Sequence, residues 1–434
     1  MSSALQSFEA ALRARPPDRL AAMRAESMRR FLELGLPNTG DETWRYTNLR
    51  GLAAKPYVDA PRIAAGAAVD AAASWLAAAS TAAPVRIVNG FAELGDGAPP
   101  ERPGVTVRSL RSLAAQDPEW LLERIAPAAD TDEERWALLN RALFVDGIYL
   151  RIDSPVEDPI LIVHLALPGG ADTAVHSRVI IETAPGATAT VIEHHIGSNG
   201  AAVLANSATQ IELAADSSVE HYRVFAGNDT MTHIDALTVR QARGSRCRQF
   251  TIALGGALVR ADLRAKLDGP GAAHDSHSLL VGHGSRHVDC VATVLHASPQ
   301  ATSTQTSRAI ASGTGRVVFN SKVVVAAGAA GTQSNQSARG LLLSPTAEID
   351  TRPQLEIHAD DVKCAHGATT GRLDPDMMFY LLSRGIDRAA AQSLLIYAFL
   401  DDVLTGMSSP AARSAIESAL IAELPDADLL REFR

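Results

Sequence analysis

Cysteine is scarce in this chain of 434 residues. Its three cysteines are Cys247, Cys290 and Cys364, and no two of them form a Cys-x-x-Cys pair. Three isolated cysteines cannot build the disulfide framework that is typical of small secreted proteins. The cysteine usage therefore predicts a reducing, cytoplasmic compartment.

Long apolar runs and an excess of basic charge are also missing. No stretch of about 18 apolar residues occurs, so the sequence predicts no membrane span. Forty lysine and arginine residues face 49 aspartate and glutamate residues, which gives a formal net charge of −9. This balance argues against a nucleic-acid-binding surface, because such a surface needs a dominant basic patch. The N-terminal stretch is punctuated by charge and lacks the apolar segment of a secretory signal.

Several catalytic and nucleotide-binding motifs are absent as well. The dipeptide Gly-Lys does not occur, which excludes a P-loop for ATP. The sequence contains no His-Glu-x-x-His, no Gly-x-Ser-x-Gly and no Gly-x-Gly-x-x-Gly that opens a βαβ unit. These absences favour a protein that is not a free-standing enzyme.

Helical patterns occupy the two ends of the chain. Apolar residues at helical spacing predict a mainly helical N-terminal region over 1–143. At the other end, Asp374 followed by a proline is typical of a helix start, and Asp387 is a second candidate N-cap. We therefore predict a C-terminal helical domain over 371–434.

The middle of the chain, 144–370, is rich in short alternating or β-branched runs bounded by turn residues. Turn signals recur at a nearly regular spacing at Gly186, Asp216, Gly244 and Gly271. One tight turn and a few strands in each repeat predict a mainly β fold with a β-solenoid core, in which each coil stacks on its neighbours. An antiparallel sandwich is the alternative.

The sharpest chemical feature is Cys364-Ala-His366, followed by a glycine-rich bend. In an extended strand, residues two apart face the same way, so the thiol and the imidazole share a face. Both groups bind iron, zinc or cluster atoms. A closed centre needs about four ligands, however, so two ligands are incomplete by themselves. The structural alternative is a buried cysteine beside a hydrogen-bonded histidine.

A second group of histidines lies further upstream. Its density allows a metal site, but glycines interrupt it and its members alternate in facing, so we predict hydrogen-bonded or solvated surface histidines. The adjacent pair His194-His195 faces opposite ways and carries less weight still. The members of the upstream group are His274, His277, His283, His287, Asp289, Cys290 and His296.

Five motifs stand out along the chain: Glu42–Leu49, His287-x-Asp289, Gly315–Val325, Leu341–Ile357 and Asp360–Ile386. In this order they resemble the SufB/SufD family of iron–sulfur cluster assembly proteins. SufB-like chains carry a cysteine just before the last motif, but the stretch from Pro353 to Ala359 has none, so the resemblance is to SufD.

The resemblance implies a right-handed parallel β-helix core flanked by N- and C-terminal α-helical regions. It implies a non-catalytic scaffold that pairs with SufB through the β-helices and binds the SufC ATPase through its C-terminal helices. A homodimer is possible for the isolated chain. Cys364 and His366 match family positions at the SufB interface, where a nascent cluster or iron is handled. The isolated chain would hold no cofactor stably, since the cluster is transient.

Two alternatives follow from the same observations. One is a SufB-type paralogue that acts as the principal cluster scaffold. The other is a carbohydrate-active enzyme, because β-solenoids can assemble carboxylate pairs across their coils.

Overall fold

The computed structural model describes residues 2–63, 74–94, 102–125, 135–197 and 200–423. Its centre is built from two parallel sheets that share one hydrophobic interior. Helices and short strands from the N-terminal region cover one end and one side of these sheets, and two of the three helices after Gly371 cover another side.

The N-terminal region begins with helices whose ends match their sequences. Ser2 caps the first helix through its side chain, and Gly35 ends the second helix with φ = 66°. A short 3₁₀ turn spans Glu42–Trp44. The helices of this region are α1 (Ser3–Arg13), α2 (Ala21–Leu34), α3 (Arg50–Ala53), α4 (Ser74–Ala77), α5 (Leu110–Gln116), α6 (Pro118–Ile125) and α7 (Arg135–Leu143).

Four short strands of the same region join the sheets. They are β1 (Val58–Asp59), β2 (Val85–Val88), β3 (Phe91–Glu93) and β4 (Val105–Ser109). β2 pairs in parallel with the second sheet and antiparallel with β3, whereas β4 pairs antiparallel with the first sheet. β3 and β4, which run antiparallel to their neighbours, therefore close the first coil of the core.

The remaining strands alternate between the two sheets along the chain. The first sheet contains β5 (Gly147–Ile152), β7 (Thr173–Thr183), β9 (Val203–Leu213), β11 (Met231–Gln241), β13 (Leu258–Leu267), β15 (His287–His296), β17 (Arg316–Val325) and β19 (Glu348–Ile357). The second sheet contains β6 (Ile160–Ala166), β8 (Thr188–Gly197), β10 (Ser218–Ala226), β12 (Arg246–Ala253), β14 (Ala273–Gly282), β16 (Thr302–Ala311), β18 (Thr332–Leu342) and β20 (Val362–Gly371).

All pairs between these core strands are parallel, and their register gives the length of one coil. Along one row of the second sheet, the consecutive partners are Cys247, His274, Ser303, Ser334 and Cys364. The step from each partner to the next closely matches the spacing of the turn signals in the sequence. The chain is thus a parallel β-helix, which confirms the predicted mainly β fold with flanking helices and not the sandwich.

One corner of each coil requires a left-handed backbone. Gly244 has φ = 66°, and a Cβ on it would lie 2.3 Å from Oδ1 of Asp216 in the preceding coil. Asp216 itself has φ = 60°, which aspartate tolerates better than most residues. These corners fix where each strand of the second sheet begins.

Alternate strand residues point into the lumen or outward. On β8, Val191 belongs to the lumen core, whereas its neighbour Ile192 packs in the cluster beneath the C-terminal helices. On the first sheet, Val179 faces the lumen and Ile180 packs beneath the N-terminal helices. Both faces of the sheets are therefore covered over much of their area, as expected for parallel strands.

The C-terminal helices are α8 (Pro375–Ser383), α9 (Arg388–Leu404) and α10 (Pro410–Glu423). Asp374 and Asp387 accept hydrogen bonds from the first turns of α8 and α9, as predicted from the sequence. Ile396 and Leu400 of α9 are fully buried against the outer face of the second sheet. Among the described residues, every helix falls short of the length and hydropathy that a membrane span requires.

The two ends of the β-helix differ. β19 and β20 stand last in the strand orders of the two sheets, and each has one edge without a strand neighbour among the described residues. β20 is largely solvent-exposed along its length. The coil formed by β19 and β20 is called the open coil below.

Candidate functional site

Cys364 and His366 lie on β20, the edge strand of the open coil. They occupy alternate positions, and their register partners on β18 are Ser334 and Gln336. Ser334 and Gln336 are both buried, and Cys364 packs against the lumen core. The thiol and the imidazole therefore belong to the lumen-facing side of the last coil, as their alternate spacing predicts.

Their exposure differs in a way that matters for chemistry. Cys364 is half-buried, while His366 is exposed. Burial raises the pKa of the Cys364 thiol, and a hydrogen bond with the backbone of Ser334 partly opposes that rise. The thiol is therefore mostly protonated at neutral pH, and a metal ion or a nearby cation would be needed to favour the thiolate.

Hydrogen-bonded side chains lie beneath the pair. Nε2 of Gln336 donates to Oε1 of Gln305 at 2.6 Å, directly below His366 in the stack. Below Cys364, the Ser334 and Ser303 hydroxyls lie 2.9 Å apart, and Ser303 is 2.8 Å from Nε2 of His296. These rows position the backbone of β20 and place polar atoms, rather than apolar ones, next to the pair.

The other two cysteines do not join this site. Cys247 and Cys290 point into the lumen and are 2% and 1% exposed. Burial raises the pKa of Cys247 to about 12 and that of Cys290 to about 11. Both are protonated thiols of the core, so Cys364 is the cysteine of this chain that offers a sulfur at the surface.

The prediction that the His274–His296 group lies on the surface is wrong for several members. His274 and His296 are fully buried in the lumen, where they contact Gln241 and Ser303, because their positions are the inward ones of β14 and β15. His277 faces outward and stacks on Phe250 at 4.8 Å. His283 is exposed, as predicted. The group is divided between the two sides of the sheets and does not form one site.

Asp289 of the same group belongs to a buried structural cluster on the outer face of the first sheet. It accepts hydrogen bonds from Thr47 and, at 2.6 Å, from Nη1 of Arg260. Arg260 lies over the Trp44 ring at 4.1 Å and also pairs with Asp262. The N-terminal Glu42–Leu49 motif is thus held on the β-helix by charged residues from two coils.

The adjacent His194 and His195 lie on opposite faces of β8, as predicted. His195 points into the lumen and lies beside His164 and Glu193, both also buried. His194 points outward and meets the Trp75 ring at 4.4 Å. The alternation of facing predicted that the pair would separate, but the cross-coil neighbours of His195 depend on coil length, which the sequence pattern gives only roughly.

The C-terminal helices differ in how much apolar surface they expose. On α9, the apolar side chains of Ile396 and Leu400 are buried against the second sheet and are not available to a partner. On α8, by contrast, Met377, Phe379 and Tyr380 are 57%, 72% and 57% exposed. We call these three residues the α8 patch. It is a large apolar surface that the helical domain leaves in solvent.

The fold and the open coil define the chain as a parallel β-helix protein with a thiol–imidazole pair at one end. Two family models match its sequence: the SufBD protein N-terminal region over residues 3–162, and the SufBD core domain of SUF-system FeS cluster assembly over residues 166–399. The chain belongs to the SufBD family of iron–sulfur cluster assembly proteins, as the sequence motifs predicted.

Similar proteins include three bacterial relatives. The iron–sulfur cluster assembly protein SufD of Escherichia coli is 29% identical over 92% of this chain and 92% of its own length. A SufBD family protein of Synechocystis sp. is 28% identical, covering 86% and 84% of the two chains. SufD of Bacillus subtilis is 24% identical over 71% of each chain. The chain is thus a SufD homologue.

Proposed function

We propose that this chain is a non-catalytic SufD-type subunit of a complex with SufB and the SufC ATPase, and that the complex assembles iron–sulfur clusters as its cargo. Family membership and similarity to two proteins named SufD support the assembly role. The observation that supports the proposed site is the position of Cys364 and His366 on the edge strand β20, one side of which has no strand neighbour among the described residues.

The open coil supports pairing with a second β-helix. β19 and β20 are equally long, and one edge of each presents backbone donors and acceptors without a strand partner among the described residues. Such edges bind strands of another chain or are blunted by protective features. We propose SufB as the physiological partner of this edge, and a second copy of this chain as a substitute when SufB is absent.

The ligand count supports a site shared between two chains. Cys364 and His366 supply two ligands, whereas iron–sulfur clusters take about four. Cys247 and Cys290 are sealed in the core and cannot add to them. The remaining ligands would therefore come from SufB. The same count disfavours the SufB-type alternative, because a principal scaffold with one accessible thiol would have little to hold a cluster. The carbohydrate-active alternative has no support from the family.

The α8 patch supports a docking site for the ATPase. Exposed aromatic and methionine side chains at a helix surface are typical of protein interfaces. Among the C-terminal helices, we therefore assign the proposed SufC contact to the α8 patch, Met377, Phe379 and Tyr380. Substitutions within the α8 patch test this contact without disturbing α9 and α10, which cover the outer face of the second sheet.

Anaerobic reconstitution tests the shared site. The chain and its Cys364→Ser and His366→Ala variants are each co-purified with SufB and SufC, supplied with Fe²⁺ and sulfide, and assayed for acid-labile sulfide and for absorbance of the cluster. We expect both variants to assemble the complex with an unchanged Tm and to form at least 10-fold less cluster. With SufB omitted, the monomeric fraction of the wild-type chain should carry no cluster, because one chain supplies two ligands.

Matched controls come from the same coil. Ala365→Ser places a hydroxyl one residue away on the other side of β20, and His358→Ala removes an exposed histidine that pairs with Glu356. Both should form cluster at the wild-type level. A double variant of Cys364 and His366 that assembles normally and still builds cluster at the wild-type rate would overturn the proposed site.

A further inference from the structure

A carboxylate and two imidazoles meet inside the β-helix, far along the chain from Cys364. Glu193 and His195 occupy alternate positions on β8, and His164 on β6 is the register partner of His195. Nε2 of His164 lies 2.8 Å from Oε2 of Glu193, and the rings of His164 and His195 stack at 4.2 Å. One ligand atom from each of the three residues lies within 4.8 Å of the others, and all three residues are buried.

Nitrogen atoms around this group lack partners. Nε2 of His195 and both ring nitrogens of His233 are buried without a hydrogen bond. His164, His195 and His233 line the same small cavity, about 10 Å³, together with Ser207 and Met231. Buried polar atoms are nearly always satisfied, so several orphaned nitrogens around one cavity point to a bound species. About one water-sized sphere fits such a volume.

The charges in this part of the lumen favour a cation. Glu193 is fully buried, and its hydrogen-bond partners are His164, His221 at 2.8 Å and the hydroxyl of Thr209 at 3.0 Å. The nearby Arg223 is engaged with Asp235, a second fully buried carboxylate, at 2.5 Å. Glu193 therefore faces imidazoles and a hydroxyl instead of the positive charge that a buried carboxylate usually has.

We propose that His164, Glu193 and His195 bind a divalent first-row transition-metal ion, such as Zn²⁺ or Fe²⁺, inside the β-helix. Two histidines and one carboxylate are the ligand set of catalytic zinc sites and of non-haem iron centres, and they suit borderline metals better than Mg²⁺ or Ca²⁺. The 2.8 Å between His164 Nε2 and Glu193 Oε2 is a hydrogen-bond distance. Two ligand atoms at about 2.0–2.2 Å from one tetrahedral ion lie roughly 3.3–3.6 Å apart, so these two side chains would separate by about 0.5–0.8 Å when an ion replaces the proton between them.

The ion in this site is separate from the cluster cargo. Its ligands come from β6 and β8 near the start of the β-helix, whereas Cys364 lies on the last strand. Imidazole nitrogens and carboxylate oxygens hold an ion without inorganic sulfide. The inference therefore stands on the buried residues alone and does not depend on the proposed role in cluster assembly.

Metal content of the full-length chain tests the proposal. The chain is produced in medium supplemented with Zn²⁺ or with Fe²⁺ under anaerobic conditions, dialysed against a chelator, and measured by elemental analysis. A portion is unfolded and refolded with each metal, because a buried site exchanges slowly. We expect about one metal ion per chain that resists the chelator, and a metal absorption-edge spectrum with nitrogen and oxygen neighbours and no sulfur.

Substitutions locate the ion. Glu193→Gln and His195→Gln should each lower the retained metal at least 10-fold, while His194→Gln should retain it, because His194 is equally buried but points outward. The Cys364→Ser/His366→Ala double variant should also retain it. Circular dichroism and size-exclusion chromatography check that each variant is folded.

The wild-type measurements decide the case if the variants misfold. A Co²⁺-refolded wild-type chain should give visible bands of a tetrahedral or five-coordinate N/O site and a higher Tm than the metal-free chain. Wild-type chain that holds no Zn²⁺, Fe²⁺ or Co²⁺ after refolding, or a bound ion with sulfur neighbours, would overturn the proposal.

Discussion

Nε2 of His287 lies 2.9 Å from Oγ1 of Thr47, a residue 240 positions earlier in the chain. The Thr47 hydroxyl donates to Asp289, so the imidazole is the donor to Thr47. One hydroxyl thus connects the N-terminal segment to two residues of β15. Because Thr47 and Asp289 are both 1% exposed, water cannot replace this contact.

Thr47→Ala should lower the free energy of unfolding by about 1–3 kcal/mol, since Asp289 loses a hydrogen-bond donor in a buried site. Denaturant unfolding measures the change, and limited proteolysis should cut the Glu42–Leu49 segment sooner. Thr43→Ala is the control, because Thr43 is exposed and contributes its backbone carbonyl, which alanine keeps, to Arg260. Equal stability of the two variants would contradict the prediction.

The thiols should differ sharply in reactivity. In the native chain we expect Ellman's reagent to label one thiol, Cys364, while Cys247 and Cys290 react only after denaturant is added. The Cys364 rate should rise with pH beyond neutrality, because its pKa is raised by burial and the thiolate is the reactive form. Native Cys364→Ser protein should give no fast reaction. Two fast thiols in the native chain would show that the core cysteines are not sealed.

Glu212 should make stability depend on pH. Burial raises its pKa from 4.5 to about 7, so the folded chain binds a proton there that the unfolded chain releases. This contribution is complete below pH 4.5 and is lost as the pH rises through 7. Glu212→Gln should therefore raise the Tm relative to wild type at pH 8 more than at pH 5. The exposed Glu123→Gln control should show no such trend.

Two apolar residues of the C-terminal helices should behave in opposite ways. Leu400→Ala should lower the free energy of unfolding by about 2–5 kcal/mol, because the Leu400 side chain is fully buried between α9 and the second sheet. Phe379→Ala should change stability by less than about 0.5 kcal/mol, because Phe379 is 72% exposed, yet should weaken SufC binding at least 10-fold. Thermal melting and pull-down of SufC separate these effects. SufC binding that survives loss of both Phe379 and Tyr380 would argue against the α8 patch.

Helix caps and turns could be predicted from the sequence, because each depends on residues that are close together along the chain. Asp374 and Asp387 cap helices through contacts with the next turn of the chain, and Gly244 and Gly271 adopt left-handed turns that their side-chain-free backbone permits. The spacing of those turns indicated the length of one repeat, and the repeat predicted a β-solenoid. The shared facing of Cys364 and His366 followed from strand alternation in the same way.

Contacts between side chains of neighbouring coils could not be predicted from the sequence, because they depend on small differences in coil length. The step from Cys247 to its partner His274 is shorter than the step from Ser303 to its partner Ser334, so different coils bring different sequence offsets into one row. For this reason His195 was not expected beside His164. Asp289 takes a hydrogen bond from Thr47, which lies 242 positions away in a loop, and no local pattern specifies such a partner.

The asymmetry between the capped first coil and the open coil has a consequence for synthesis. A ribosome makes the chain from the N-terminal end, so α7 and the first strands are available to nucleate the stack before β19 and β20 exist, and later coils can add by templating on earlier ones. The open coil, whose edge is proposed to pair with another chain, is the last part of the β-helix to be synthesised. If this edge pairs as proposed, two chains made from one messenger RNA cannot pair through it until the β-helix of each is nearly complete.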